Sequence, residues 1–301
     1  RTGLFVGGAV TVLLAGTGAW FLAALALRPV DRMRKQAATI SEHDADRRLP
    51  IPRTHDEIAH LGTTMNALLE RLQGALAQQR AFVADASHEL RTPLAVLRTE
   101  LELAGRPERD LTELRGAIAE AAIETERLCQ LTDELLFLAR HDEQRIGRTK
   151  ELQPIWPLLD RAATSARTYA STSGITIHLD ADRSLIAPVV LDDLRRAIDN
   201  LLTNAVRHAP AGSTIELSAS TVPEQLCIVV RDHGPGFPPE FIPHAFERFR
   251  RGDTVRNRND GGSGLGLAIV RAVVREHGGV VEAANHPDGG AEIRVRLPLA
   301  P

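Results

Sequence analysis

The sequence contains very little lysine and cysteine, and its charges are nearly balanced. Among its 301 residues only Lys35 and Lys150 are lysines, so almost all of the positive charge is carried by arginine. The formal net charge of −3 argues against a dedicated nucleic-acid-binding protein, which would present a strongly basic face. Cys129 and Cys227 lie in separate apolar segments, where distant thiols are more typical of core residues than of a disulfide or metal site.

Charge is also absent from the start of the chain, between Thr2 and Leu27. As a helix, Leu4–Leu27 would be about 36 Å long, enough to cross a hydrocarbon core of about 30 Å. Basic residues follow directly from Arg28, so the positive-inside rule places the remainder in the cytoplasm. A signal peptide is disfavoured because the run is too long and lacks a small-residue cleavage site. Since the first residue is not Met, we expect an upstream part to be missing.

A helix, a polar connector and a second helix are predicted next. Pro29 suits the first turn of a helix that reaches about position 42, and residues 43–54 carry two prolines. Thr54 can cap the second helix, whose first turn contains Asp56-Glu57, where the helix dipole favours anions. Its apolar residues form a coiled-coil seam: Ile58, Leu61, Met65, Leu68 and Leu72. A generic juxtamembrane coiled coil is the alternative.

Two long helices are predicted over 75–104 and 108–142, separated by Gly105-Arg106-Pro107. In the second helix the apolar positions from Leu111 to Ala139 alternate between spacings of three and four. Such a hairpin cannot bury both of its apolar seams alone, whereas a four-helix bundle made by two chains can. The sequence therefore predicts a homodimer.

Strands and helices are mixed after position 150, and sequential strands look like hairpin pairs, so we expect an α/β sandwich. The predicted strands are Ile175–Leu179, Thr214–Ser220, Leu226–Arg231, Val280–Ala284 and Glu292–Leu297. The predicted helices are Ile155–Thr172, Val189–His208 and Gly266–His277. We find no internal repeat in the sequence.

The first candidate for chemistry is His88, which lies off the apolar face of its predicted helix and should be accessible to solvent. Glu89 is a neighbouring carboxylate that can orient the imidazole or take its proton. Pro93 removes the helical hydrogen bond to the carbonyl of Glu89 and should kink the helix. The zinc-protease pattern would need a second histidine at position 92, but that residue is Thr92.

A second group of polar residues lies on the predicted helix that ends at His208. Asn200 and Asn204 are one turn apart and share a face, so their amides can offer oxygens to a hard cation and N–H donors to phosphate. Arg207 adds positive charge. An ordinary amphipathic helix with capping asparagines is the alternative.

Two glycine-rich loops complete the set of motifs. Asp232-His233-Gly234-Pro235-Gly236 follows an apolar strand, so its carboxylate can accept a hydrogen bond from an amino group while the glycines allow close backbone approach; a simple Gly/Pro turn is the alternative. Glycines 262, 264 and 266 precede a helix, where free N–H groups can hold phosphate. This loop is neither a Walker loop, because the chain has no Gly-Lys pair, nor a Rossmann loop.

In their order along the chain, these segments resemble those of the bacterial two-component sensor histidine kinases. Residues 28–80 resemble a HAMP linker, with Pro29 and Asp56-Glu57 at the positions of that pattern. The other matches are to the H-box at 82–94, the N-box at 199–208, the G1 box at 232–237, the F-box at 246–253 and the G2 box at 261–270. The resemblance implies that His88 is phosphorylated from ATP, that Glu89 accepts its proton and that Thr92 positions a water during dephosphorylation of a partner.

For the nucleotide, the resemblance implies that Asn204 binds Mg²⁺, that Asn200 orders water or phosphate and that Asp232 reads the adenine amino group. Many relatives have Lys-Tyr where this chain has Arg207-His208. Residues 250–260 should form a mobile lid, from which Arg250 or Arg251 could reach the phosphates. The other residues expected at the ATP site are Arg207, His208, Gly234, Gly236, Gly262, Gly264, Leu265, Gly266 and Leu267.

The resemblance implies four parts: a transmembrane helix at 4–27, a HAMP linker at 28–80, a dimeric antiparallel hairpin for histidine phosphotransfer at 81–145 and a Bergerat-type ATP-binding domain at 150–301. Besides ATP and Mg²⁺ it implies a homodimer, lipid contact through the first helix, no nucleic acid, and a separate response regulator, since no receiver-like segment follows. It places the protein in the bacterial plasma membrane, with residues 28–301 in the cytoplasm. Three rival functions are a protein that acts mainly as a phosphatase on its partner, a non-catalytic dimeric scaffold that binds ATP as a structural ligand, and an ATPase machine such as a topoisomerase or chaperone subunit.

Overall fold

The computed structural model describes residues 2–39, 48–51, 57–105, 110–143, 149–250 and 262–299. It divides the chain into two units, Arg1–Ala84 and Asp85–Pro301. The first three helices are α1 (Thr2–Thr39), α2 (Glu57–Ala104) and α3 (Leu111–Glu143). Among the described residues, no helix is both long and apolar enough to span a membrane.

In the first unit, α1 and the start of α2 are linked through the connector at 48–51. Asn66 on α2 holds the connector backbone, because its Oδ1 accepts from the Leu49 N–H at 2.8 Å and its Nδ2 donates to the Leu49 carbonyl at 3.0 Å. Leu49 and Met33 are buried. The expectation that a new helix begins at Pro29 was wrong, since α1 passes through this position without a break. A proline ring sets a helical φ, so a helix can continue through it at the loss of one hydrogen bond.

The helix α2 joins two segments that the sequence pattern presented separately, the second linker helix and the first hairpin helix. It includes Pro93 and ends at Ala104, just before the predicted break. The start of α3 has a clear cause, because Asp110 Oδ1 accepts hydrogen bonds from the N–H groups of Thr112 and Glu113, both at 2.8 Å. An Asp in this position satisfies N–H groups that lack a partner in the first turn of a helix.

The C-terminal part is an α/β sandwich, as predicted. Its elements are β1 (Glu151–Pro154), α4 (Ile155–Ala170), β2 (Thr176–Ala181), β3 (Ile186–Val189), α5 (Leu191–His208), β4 (Thr214–Val222), β5 (Gln225–Arg231), α6 (Gly266–Glu276), β6 (Val280–Asn285) and β7 (Ala291–Pro298). The five-stranded sheet has the order β2-β4-β5-β7-β6. The neighbours β2 and β4 are parallel, with β3 and α5 between them in the chain, and the other pairs are antiparallel.

The core lies between one face of this sheet and the helices α4, α5 and α6. Alternate residues of β7 from Ala291 to Leu297 are buried, as a sheet covered on one face requires. The sequence pattern missed the small sheet in which β1 pairs with β3, because each strand has four residues and contains a proline, Pro154 or Pro188. Cys227 is buried as expected, but the same expectation for Cys129 was wrong, since that thiol is exposed.

Candidate ATP site and phosphoacceptor helix

The C-terminal half of α5 lies against both glycine-rich loops. A Cβ at Gly234 would be 2.5 Å from the carbonyl oxygen of His208, and a Cβ at Gly262 would collide with Nη1 of Arg207. A Cβ at Gly266 would be 3.4 Å from Oδ1 of Asn200. Glycine is therefore needed at position 234, where the close atoms belong to the helix backbone, whereas at position 262 the close atoms are the end of a flexible arginine side chain. Residues that the sequence places up to 66 positions apart (200 and 266) thus meet at one site.

Asp232 is fixed at the base of the first glycine loop and is only 4% exposed. Its Oδ1 accepts hydrogen bonds from the N–H of Gly234 at 2.8 Å and from the N–H of Ala291 at 3.1 Å. Its Oδ2 accepts none from the residues that the structure describes. The carboxylate is thus held rigidly and keeps one oxygen that can accept a hydrogen bond from a ligand amino group.

Two further residues shape this loop, and the sequence pattern did not single them out. Asn285, at the end of β6, accepts from the Phe237 N–H at 2.6 Å and donates to the Phe237 carbonyl at 2.8 Å. Gly290 has φ of +89° and faces the carbonyl oxygen of Asp232 so closely that any Cβ would collide with it. Both lie about 50 residues after the loop they support, so only the pairing of β5, β6 and β7 brings them there.

The second loop packs on the F-box-like segment. Gly264 has φ of +72°, and a Cβ there would be 2.9 Å from the carbonyl carbon of Phe249. Phe249 itself has φ of +58°, a left-handed conformation that is rare for an aromatic residue. Arg250 is exposed, whereas Arg251 and most of the predicted lid lie outside the described residues.

Asn200 and Asn204 are half-buried one turn apart on α5. Neither amide makes a hydrogen bond with another described residue, so both retain their capacity to bind a ligand. An amide oxygen is the kind of hard donor that Mg²⁺ accepts alongside phosphate oxygens and water. The donor chemistry of Asn204 therefore fits the expected ion.

The predicted phosphoacceptor lies on a separate element, α2. His88 and Thr92 are exposed, Glu89 is half-buried and Pro93 is buried. The expectation that the His88 imidazole is accessible to solvent is confirmed. Parts of the predicted apolar seam beside it are also open, with Leu94 52% and Leu101 57% exposed.

The helix α3 also contacts the second glycine loop, which the sequence did not indicate. Ser263 donates a hydrogen bond to Glu134 Oε2 at 2.5 Å and accepts one from the Leu265 N–H at 3.1 Å. Burial raises the pKa of Glu134, and the Ser263 hydrogen bond only partly opposes this effect. Nearby, the Arg196 guanidinium lies 4.3 Å from the centre of the Phe137 ring.

Comparison with protein-family models identifies three consecutive domains. The HAMP domain model matches residues 21–74, and the His Kinase A (phospho-acceptor) domain model matches residues 78–144. The model of the histidine kinase-, DNA gyrase B- and HSP90-like ATPases matches residues 189–301. The chain belongs to the two-component sensor histidine kinases. The ATPase domain of histidine kinases binds ATP, so residues 189–301, which include α5 and both glycine-rich loops, form an ATP-binding domain.

Individual sensor kinases agree with this assignment. The probable sensor histidine kinase TcrY of Mycobacterium tuberculosis is 36% identical over 98% of this chain and 66% of TcrY. The sensor protein CutS of Streptomyces coelicolor is 35% identical over 92% of this chain and 67% of CutS. This chain thus spans about two thirds of their length. The crystal structure of full-length ShkA in complex with AMPPNP has a TM-score of 0.52 and 28% identity, covering 73% of this chain and 46% of ShkA.

Replacing Asn285 with alanine should weaken ATP binding by this kinase by up to roughly 30-fold, the equivalent of about 2 kcal/mol. The change removes both hydrogen bonds to the Phe237 backbone, each worth about 1 kcal/mol, and leaves the first glycine loop less ordered. Calorimetric titration with an ATP analogue would measure the effect. Asn285→Asp should weaken binding at least as much, because its second carboxylate oxygen would face the Phe237 carbonyl oxygen and neither can donate a hydrogen bond. Unchanged affinity in the alanine variant would show that Asn285 does not support the site.

Proposed function

We propose that this sensor kinase transfers the γ-phosphoryl group of ATP to His88 and then to an aspartate of a separate response regulator. The observation that carries the proposal is the position of α5 between two glycine loops, with the Asp232 carboxylate held by Gly234 and Ala291. These groups can recognise a purine amino group and a row of phosphates in one site. The accessible His88 on α2 then provides the acceptor.

In the nucleotide site, each side chain has a role that its position allows. Asp232 accepts a hydrogen bond from the adenine amino group, and Asn204 contributes an oxygen ligand to Mg²⁺. The bound Mg²⁺ would offset negative charge on the phosphates as the bond breaks. Asn200 and Arg207 face the phosphates together with backbone N–H groups at the start of α6. We also assign to this site His208, Gly234, Gly236, Gly262, Gly264, Leu265, Gly266 and Leu267.

At the acceptor, a ring nitrogen of His88 attacks the γ-phosphorus and forms an N–P bond. The bond from that phosphorus to the bridging oxygen breaks, and ADP leaves with the electron pair. Glu89, the next residue on α2, takes the imidazole proton. Phosphohistidine then gives its phosphoryl group to a carboxylate oxygen of the regulator, which restores the neutral imidazole after the proton returns.

The assembly that we propose is a homodimer anchored in a bacterial plasma membrane. The exposed seam on α2, together with Ile118 on α3, which is 56% exposed, would be covered by a second copy in a four-helix bundle. We propose that residues 4–27 cross the membrane and contact lipid, because they carry no charge and precede a basic cluster. Residues 28–301 would then lie in the cytoplasm, where ATP and the regulator are present.

The test is to incubate the full chain, purified in detergent, with γ-labelled ATP and Mg²⁺. The protein should acquire label that is stable in alkali and lost in acid, as expected for phosphohistidine. Label that survives acid would indicate another acceptor and contradict the proposal. ATP binding without any transfer would instead favour the non-catalytic scaffold.

The same helix also supports a phosphatase activity toward the regulator, because Thr92 is exposed one turn after His88. Replacing Thr92 with alanine removes a hydroxyl that can position an attacking water. The variant should autophosphorylate at the wild-type rate but remove phosphate from the labelled regulator at least about tenfold more slowly. Thr92→Ser is the control that keeps the hydroxyl. If autophosphorylation and dephosphorylation slowed equally, Thr92 would have another role.

A further inference from the structure

A cluster of three titratable side chains lies where α3 meets the ATP-binding domain. It consists of His141 on α3, Asp193 on α5 and Glu276 on α6. Nε2 of His141 is 2.9 Å from Glu276 Oε2 and 3.6 Å from Asp193 Oδ2. The side chains are only 9%, 4% and 16% exposed, in the order His141, Asp193 and Glu276. None of them belongs to the proposed ATP site or phosphoacceptor.

The imidazole of His141 is oriented as in a metal site. Its Nδ1 is 2.9 Å from the carbonyl oxygen of Phe137. A carbonyl oxygen only accepts, so Nδ1 carries a proton and donates. Nε2 is buried and faces the carboxylates of Asp193 and Glu276, although its N–H direction fits a hydrogen bond to neither. A histidine that binds a metal through one nitrogen usually donates its other N–H to such a carbonyl.

We propose that His141, Asp193 and Glu276 bind one Zn²⁺ ion through Nε2 and one oxygen of each carboxylate. Ligand atoms around tetrahedral zinc are separated by about 3.3 Å, given bonds of about 2.0–2.1 Å. The distances of 2.9 and 3.6 Å from Nε2 lie on either side of that value, and all three ligand atoms lie within 4.8 Å of one another. Small side-chain movements would therefore complete the site.

Charge and ligand type both favour a divalent transition metal over a proton or Mg²⁺. Two carboxylates carry two negative charges, which one Zn²⁺ balances in full, whereas a proton on His141, whose pKa Asp193 and Glu276 raise, balances only one of them. Imidazole is a good ligand for zinc and a poor one for Mg²⁺. The neighbouring His277 is not a further ligand, because its Nε2 already accepts a hydrogen bond from the Val190 N–H at 2.9 Å. Water would occupy the fourth position.

The ligands come from both sides of the contact, so zinc would fasten α3 to α5 and α6. The contact already includes the Ser263–Glu134 hydrogen bond and the Arg196–Phe137 stacking. A metal link at His141 would add a third attachment and raise the stability of this part of the chain against heat.

The experiment is a zinc titration of the full chain, purified in detergent and stripped with a chelator, against a competing metal indicator. We expect one zinc per chain, and at least about 100-fold weaker binding in His141→Ala and Glu276→Gln, since a direct ligand matters more than its supporting neighbours. His178→Ala, which removes an exposed histidine of β2, should bind as the wild type. Excess Mg²⁺ should not displace the zinc.

Thermal unfolding separates loss of the site from loss of the fold. Zinc should raise the unfolding temperature of the wild type and of His178→Ala, but not that of Glu276→Gln, whose amide preserves the shape of the side chain. Absence of stoichiometric binding to the wild type would overturn the proposal, as would equal binding by all variants. ATP is left out of both measurements, so their outcome does not depend on kinase activity.

Discussion

Replacing His88 with glutamine should abolish the transfer of label from γ-labelled ATP to the protein. Glutamine has a similar reach but no nucleophilic ring nitrogen, so no N–P bond can form. His88 is exposed on α2, hence the change should leave both the fold and ATP binding unaltered. The measurement is acid-labile label per chain over time, with ATP affinity determined in parallel.

The matched control is His60→Gln, which replaces another exposed histidine on the same helix. This variant should acquire label as the wild type does. Label that persists in the His88 variant would remove this residue from the mechanism, even if the nucleotide site proved correct. Loss of label in both variants would indicate that α2 itself had been disturbed.

Replacing Asp232 with asparagine should lower ATP affinity by roughly 10- to 100-fold. The new amide oxygen can still accept from Gly234 and Ala291, so the loop should keep its position. The amide nitrogen would then replace Oδ2 and present a donor to the adenine amino group, which is itself a donor. A lost hydrogen bond to a charged group costs about 1.5–3 kcal/mol, which corresponds to that range of affinity.

Two comparisons make this prediction specific. GTP has a carbonyl where ATP has the amino group, so the affinity for GTP relative to ATP should be higher in the variant than in the wild type. Asp180→Asn changes an exposed carboxylate on β2 and should leave the affinity unaltered. Wild-type ATP affinity in Asp232→Asn would mean that this carboxylate only supports the loop.

Much of the fold was predictable because its signals are local. Strands that are buried on one face alternate buried and exposed residues, and β5, β6 and β7 appear within a residue or two of their predicted ends. The sequence pattern did not predict the short strands β1 and β3, because four residues are too few for a two-residue period to show. The parallel pairing of β2 with β4 was not predicted either, since strands that follow one another in hairpin-like order suggest antiparallel neighbours.

The sequence by itself determined the family, the candidate phosphoacceptor and the glycine loops, because these depend on residue types at short, characteristic spacings. Only the tertiary structure decided what holds the loops in place. Asn285 and Gly290 support the first loop across the sheet, and Glu134 on α3 accepts a hydrogen bond from Ser263 of the second loop. Such contacts join residues about 50 to 130 positions apart, and their geometry depends on packing that no local pattern specifies. The same holds for the cluster around His141, whose three members are ordinary surface-type residues until the fold buries them together.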